Sequence, residues 1–383
     1  MRSPLPFAAL AGALLAWAAA AQSEEDRWKA PPPAWEGTWA GTIGTLPVHV
    51  CLNNTPYMNR GAYYYDAHKA LIPLELDEEK QDWVEGELDN KRAPRLKIAG
   101  KADALSGTWT DGKRSLPVQL RRIGGPSQEF EGPCASMEFQ RPRVSAVRLA
   151  SRPGSMDGVK FTTWSFTPGK PFDDIEISTF TLDRTDSGAA TVNAILRQAL
   201  PLPDGTGTWL DCMASNANAH GSDGSYSESI EPTLITRRWL AVAHSGEDYC
   251  GGAHPENYNR LRTFDLMAGT EVDPHDWFKP SAVKVESFAT ADEPAKTLTE
   301  PFRDEILKGW KPEDPECAGA IREQEFWSIG ISRTGLVFSP SLPRVIMACG
   351  EDFTVPFPKL TPWLNSTGQA AVASIQAEAG NRR

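Results

Sequence analysis

The pattern that most narrows what this chain can fold into is a repeated hairpin. Gly37-Thr38-Trp39 precedes Leu46-Pro47-Val48 by nine positions, and Gly107-Thr108-Trp109 precedes Leu116-Pro117-Val118 by the same nine. Each copy reads as two short strands about a turn, and in the later one Asp111-Gly112 supplies the positive-φ positions that a tight turn needs. Between the copies lie the aromatic run Ala62–Tyr65, then Leu71–Leu76, Trp83–Leu88 and Arg95–Ile98, which alternate apolar and polar side chains. Short strands at regular spacing, with turn signals between them, predict an antiparallel meander or small barrel over residues 35–142. Two copies are too few for a solenoid. Trp39 and Trp109, at matching places in the repeat, are expected to fill the core of that domain.

A break at Gly124-Gly125-Pro126-Ser127 precedes a second domain over residues 143–365, in which strands and helices mix. Ile175–Phe180 alternates as a strand, Thr191–Gln198 reads as a helix, and Trp239–His244 reads as a buried strand. Arg260–Leu266 is a further strand that turns at Ala268-Gly269. Leu298, Phe302 and Ile306, four apart, predict a helix over Lys296–Gly309. Phe326–Ile329 and Gly335–Phe338 form a closing hairpin, and the proline of Phe353–Pro356 marks an edge strand. Residues 366–383 are expected to be a loosely ordered tail or a frayed helix. The fold class that follows is a mainly β N-terminal domain, an antiparallel meander or small barrel, followed by an α+β domain.

Arg2, the apolar run Phe7–Ala21 and the small residues at its end read as a secretory signal over residues 1–21. A charged and Pro-rich lead-in follows over residues 22–34. The address is therefore periplasmic or secreted. Six cysteines, Cys51, Cys134, Cys212, Cys250, Cys317 and Cys349, then read as disulfides. Sequential pairing is expected, with one bond in the first domain and two in the second. The formal net charge of -11, from 39 Lys and Arg against 50 Asp and Glu, disfavours nucleic acid and anionic lipid and attracts a basic partner. No membrane insertion is expected after signal removal.

In the second domain, Tyr249-Cys250-Gly251-Gly252-Ala253-His254-Pro255 leads to Phe264-Asp265-Leu266 and Gly269, then to Asp273 and Trp277-Phe278. Gly335-Leu336-Val337-Phe338, Met347-Ala348-Cys349-Gly350, and Phe353 to Phe357 with Leu360 follow in order. Over residues 145–365 this resembles an exported domain family of largely unknown function. That family is found in the extracellular part of lysozyme-sensing anti-sigma factors and beside the catalytic domain of some peptidoglycan deacetylases. The upstream strand and the helix with Asn193 resemble the domain that usually precedes it. The resemblance implies an α+β fold and a cell-envelope setting. The sequence departs from both arrangements, with no cytoplasmic segment, no retained membrane helix and no attached catalytic domain, and it offers no family catalytic residues.

Three histidines, His244, His254 and His275, occupy one stretch of the second domain with Asp273 and Asp276 beside the last, a weak candidate set for zinc. Their spacing fits no compact metal motif. No Gly-x-Ser-x-Gly is present, and Gly221–Ser225 reads as a flexible polar loop. Tyr64, His254 and Tyr258 are the candidates for contact with a partner, Tyr64 as an exposed ring of the tyrosine run. The leading expectation is a non-catalytic envelope binding protein without a cofactor, taking a basic protein such as a lysozyme or a cell-wall glycan. A metal-dependent hydrolase using the His254 and His275 region is the second reading. A structural envelope protein without a discrete ligand is the third.

Overall fold

The computed structural model describes residues 31–54, 59–101, 103–126, 132–287, 294–312 and 314–380. The signal over residues 1–21 and most of the lead-in lie outside the described residues. Contacts divide the chain into two units, one built on Met1–Ser145 with Leu210–Gly224 and Cys250–Gly252, the other on Ala146–Trp209, Ser225–Tyr249 and Ala253–Arg383.

The first unit is a closed antiparallel barrel. Its eight strands are β1 (Gly37–Ile43), β2 (Leu46–Asn54), β3 (Asn59–Tyr65), β4 (Ile72–Asp77), β5 (Asp82–Glu85), β6 (Arg95–Lys101), β7 (Ala104–Thr110) and β8 (Ser115–Gly124). Each pairs with the next, and β8 returns to β1. The repeat supplies the first hairpin and the last. Their registers differ, since Trp39 lies opposite Val50 while Trp109 lies opposite Leu116. Both rings still point inward, into a core shared with Val48, Val118, Leu96 and Trp83, because only an odd shift along a strand changes the face. Closure needs Gly41, where a Cβ would stand 1.9 Å from the Gln119 carbonyl oxygen.

Outside the barrel wall, Cys51 of β2 is bonded to Cys134. Cys212 is bonded to Cys250 and Cys317 to Cys349, so pairing is sequential. The second of these bonds falls in the barrel unit, because Leu210–Gly224 packs there. Asn53 Nδ2 donates to the Asn218 carbonyl, Arg60 Nη1 donates to the Ala219 carbonyl, and the buried Arg143 guanidinium reaches Asp223 at 2.6 Å. The irregular segment Gly221–Ser225 is held by contacts of its own. Asp223 is held by Arg143, Asn216 Nδ2 donates to the Ser222 carbonyl, and Ser225 opens a strand.

The second unit holds β9 (Ala150–Met156), β10 (Val159–Phe166), β11 (Ile175–Leu182), β12 (Ser225–Ile235), β13 (Trp239–Tyr249), β14 (Glu256–Asp265) and β15 (Thr270–Val272). They form one seven-stranded sheet in the order β15-β14-β13-β12-β11-β10-β9, parallel only between β11 and β12. A parallel pair needs a crossover, and the helix Ser187–Leu196 lies in it. Asp186 caps that helix by accepting from the Ala189 N–H. Ala189, Val192 and Leu196 pack against Phe180, Leu240, Val242 and Phe264. Asn193 Oδ1 accepts from the Leu182 N–H and its Nδ2 donates to the Leu182 carbonyl, which pins the helix to β11.

A second core lies among β16 (Val283–Glu286), β17 (Ala295–Leu298), β18 (Trp327–Ile331), β19 (Gly335–Pro340), β20 (Phe353–Pro356) and the helices near them. Two expectations are corrected here. Lys296–Leu298 is strand, paired with β16, and the helix covers only Glu300–Ile306. Pro301 has no N–H and suits a first helical turn, so the helix cannot include the residues before it as interior. The segment after residue 365 is a helix, Ser366–Gly380, not a loose tail. Its Ala371, Val372 and Ile375 are buried in this core. Pro356 on β20 does lie on an edge strand, next to β19 alone.

Candidate functional site

A groove of about 490 Å³ opens on one face of the seven-stranded sheet. The register builds it. Glu176, Ser227, Glu247 and Asn257 stand in one row across β11, β12, β13 and β14. Two residues along, Ser178, Ser229 and Ser245 form the next row. Glu231 extends the β12 edge of the groove, and Met347 closes it from the 3-10 turn Arg344–Cys349. Farther along β14 the same face carries Leu261, which is covered by Gly330 of β18. The open part of the face is therefore the polar part.

The rows are held by their own hydrogen bonds. Ser178 Oγ donates to Ser229 Oγ at 3.0 Å, and Ser227 Oγ donates to the Glu247 carbonyl at 3.3 Å. Four glutamates border the groove, and its lining contains no lysine, arginine or histidine. One cation approaches, Arg344, whose Nη2 stands 3.8 Å from Glu247 Oε1. Asn257 Oδ1 is buried without a hydrogen-bond partner.

Glu228 and Tyr258 also border the groove but belong to a polar cluster. Glu228 Oε1 meets His244 Nε2 at 2.8 Å, while Glu228 Oε2 accepts from the Tyr226 hydroxyl at 2.8 Å. The Tyr258 ring stands edge-on to His244 at 5.2 Å and covers Gly246, where a Cβ would fall 2.6 Å from the ring. Burial, reinforced by Glu228, pushes the Tyr226 phenol far up, and the same two causes push Tyr258 up to about 12. Burial and the neighbouring Glu256 raise the Asp248 carboxyl as well. Both tyrosines therefore stay protonated near neutral pH, Tyr226 as a donor to Glu228. The cluster fixes β12, β13 and β14 to one another on the side of the sheet away from the serine rows.

The candidates named from sequence scatter. Tyr64 is corrected: it is 1 % exposed, lies against Phe139, and donates its hydroxyl to the Phe139 carbonyl. Strand alternation did turn one ring of the run away from the barrel core, but the chain around Cys134 and Phe139 covers that side. The three histidines each take a carboxylate of their own. His244 is with Glu228, His254 Nδ1 lies 3.2 Å from Glu256, and His275 Nδ1 lies 2.6 Å from Asp273. Among the described residues, no group of three metal-ligating side chains includes any of them. His254 is exposed, and its Nδ1 also lies 3.1 Å from the Pro255 carbonyl. Of the three partner-contact candidates, Tyr258 borders the groove. The residues that make most of the lining, Ser227, Ser229, Glu231, Glu247 and Asn257, carried no sequence motif.

Neither a protein-family model nor a curated protein matches the sequence. Among solved structures, a DUF3298 family protein from Pseudomonas aeruginosa PAO1 is similar with a TM-score of 0.34 at 12 % identity, covering 58 % of this chain and 96 % of that one. A member of the same family from Bacteroides fragilis NCTC 9343 gives 0.36 at 13 %, covering 61 % and 99 %. Three disulfides place the protein in an oxidising, extracytoplasmic setting. Among the described residues no helix is long and apolar enough to cross a membrane.

Proposed function

We propose that the chain is a non-catalytic periplasmic or secreted binding protein that receives a basic protein on the acidic face of its large sheet. The observation that carries this reading is the groove lining, in which Glu176, Glu231 and Glu247 stand on the same face as the serine row and no cationic residue is present. Such a surface attracts lysine and arginine side chains, and the net charge of -11 steers a cationic partner toward it. A c-type lysozyme, compact and basic, is the first partner to test. A cell-wall glycan fits less well, because sugar binding draws on open aromatic platforms and the one ring at the groove, Tyr258, is packed on Gly246 and His244. The serines hydrogen-bond each other and the backbone, with no histidine beside them in the groove, which supports binding over hydrolysis. The test is calorimetric titration of the oxidised protein with a c-type lysozyme at low and raised salt. Saturable binding that weakens with salt is expected. Absence of heat and of any complex at low salt refutes the reading.

A further inference from the structure

We propose that the 3-10 turn Arg344–Cys349 is the apolar half of the same recognition surface, with Val345 as the anchor that enters a hollow on the cationic partner protein. This inference rests on the reading of the acidic groove. Val345, Ile346, Met347 and Ala348 are four apolar residues in a row, and no residue of the turn is buried. Val345 is 91 % exposed. A lone exposed valine needs no explanation, but an apolar run standing clear of a core at the lip of a cavity marks an interaction surface. The turn belongs to the groove at two points, since Met347 lines it and Arg344 reaches toward Glu247. Its far end is fixed by the bond from Cys349 to Cys317 on the helix Pro315–Glu323. Val345 is thus presented on a short turn that a disulfide holds at one end, which lowers the ordering cost of docking.

The chemistry of the occupant follows from what the turn lacks. An aliphatic tip gives a sugar ring nothing flat to stack on, and the carboxylates beside it repel an anionic lipid surface. A basic protein satisfies both halves, with cations for the glutamates and an apolar hollow for Val345.

The experiment is titration of the full oxidised chain with a c-type lysozyme, comparing wild type, Val345→Ser and Val345→Leu. Burying an exposed valine side chain on binding predicts a dissociation constant raised about tenfold in Val345→Ser, with wild-type affinity largely kept in Val345→Leu. The salt dependence stays that of the wild type in both, because no charge changes, and melting temperatures stay put because Val345 touches no core. Binding by Val345→Ser within about twofold of a wild type that does bind overturns the anchor and leaves the groove reading standing. A wild type that binds no lysozyme overturns both.

Discussion

Neutralising the groove tests the proposed function at its cause. Glu176, Glu231 and Glu247 are the glutamates that border the groove outside the Tyr226, Glu228 and His244 cluster. Each would face an incoming ammonium or guanidinium. Two unit charges 4 Å apart interact by about 1 kcal/mol at the dielectric of water and about 4 kcal/mol at an effective value of 20. The Glu247 side chain is 59 % exposed, and Glu176 and Glu231 are exposed too, so the lower figure applies. Changing all three to glutamine should cost about 3 kcal/mol of binding, on the order of a hundredfold in Kd for lysozyme. The slope of log Kd against log salt should flatten in parallel. Folding stability should change by less than about 1 kcal/mol, since surface changes away from packed features seldom do more. The control is Glu87→Gln with Asp89→Asn and Asp103→Asn, three exposed acids of the barrel unit, which makes the same change in net charge. If the control weakens binding as much as the groove variant, overall charge and not the groove attracts the partner, and the site assignment is wrong.

Three further outcomes follow from packing and charge. Cys51→Ser with Cys134→Ser opens a link spanning 83 residues, and the chain-entropy relation gives a loss of about 4.5 kcal/mol; urea denaturation of the double variant reads this directly. Gly246→Ala forces the Tyr258 ring aside and should cost about 1–2 kcal/mol. In a Tyr258→Ala background the same change should cost nothing or stabilise by about 0.5 kcal/mol, and equal costs in both backgrounds would refute the steric argument. Asp273 is held well below the usual carboxylate range, because hydrogen bonds and charge from His275 and Lys296 outweigh its burial. A depressed carboxyl stabilises above its unfolded pKa, and that stabilisation fades as pH falls toward its folded value. Asp273→Asn should therefore lower the melting temperature at pH about 6, with the gap to wild type narrowing below pH about 4.

The barrel was legible because its information is local. The repeat, the alternating runs and Asp111-Gly112 each act within a few residues, and a meander pairs neighbours in chain order. Sequential disulfides follow the same logic. What was misread lies where a tertiary partner decides. Leu298, Phe302 and Ile306 all face the second core, so their spacing imitated one helix although Leu298 sits in β17. Ser366–Gly380 has few large apolar residues, and it is ordered because small side chains let it approach closely, as at Gly368 against the Trp277 carbonyl. Tyr64 shows the same limit. Alternation correctly turns it away from the barrel interior, and only the chain near Cys134, far along the sequence, reveals that this outer side is covered.

The groove was illegible for a further reason. β12 alternates Ser227, Ser229 and Glu231 against Tyr226 and Ile230, which is a half-buried strand pattern. Glu228 falls on the apolar side and breaks it. A carboxylate there is tolerated because Tyr226 and His244 satisfy it, and His244 lies on β13, 16 residues away. The charge of the open face comes instead from Glu176, Glu231 and Glu247, on the side away from Glu228. The parallel pairing of β11 with β12 then brings Glu176 and Ser178 beside Ser227 and Ser229 across a 51-residue separation. No residue in that row is unusual alone. Its meaning comes from four strands placing acids and hydroxyls on an open face with no cation in the lining, which is why the decisive variants are those that change charge without touching the fold.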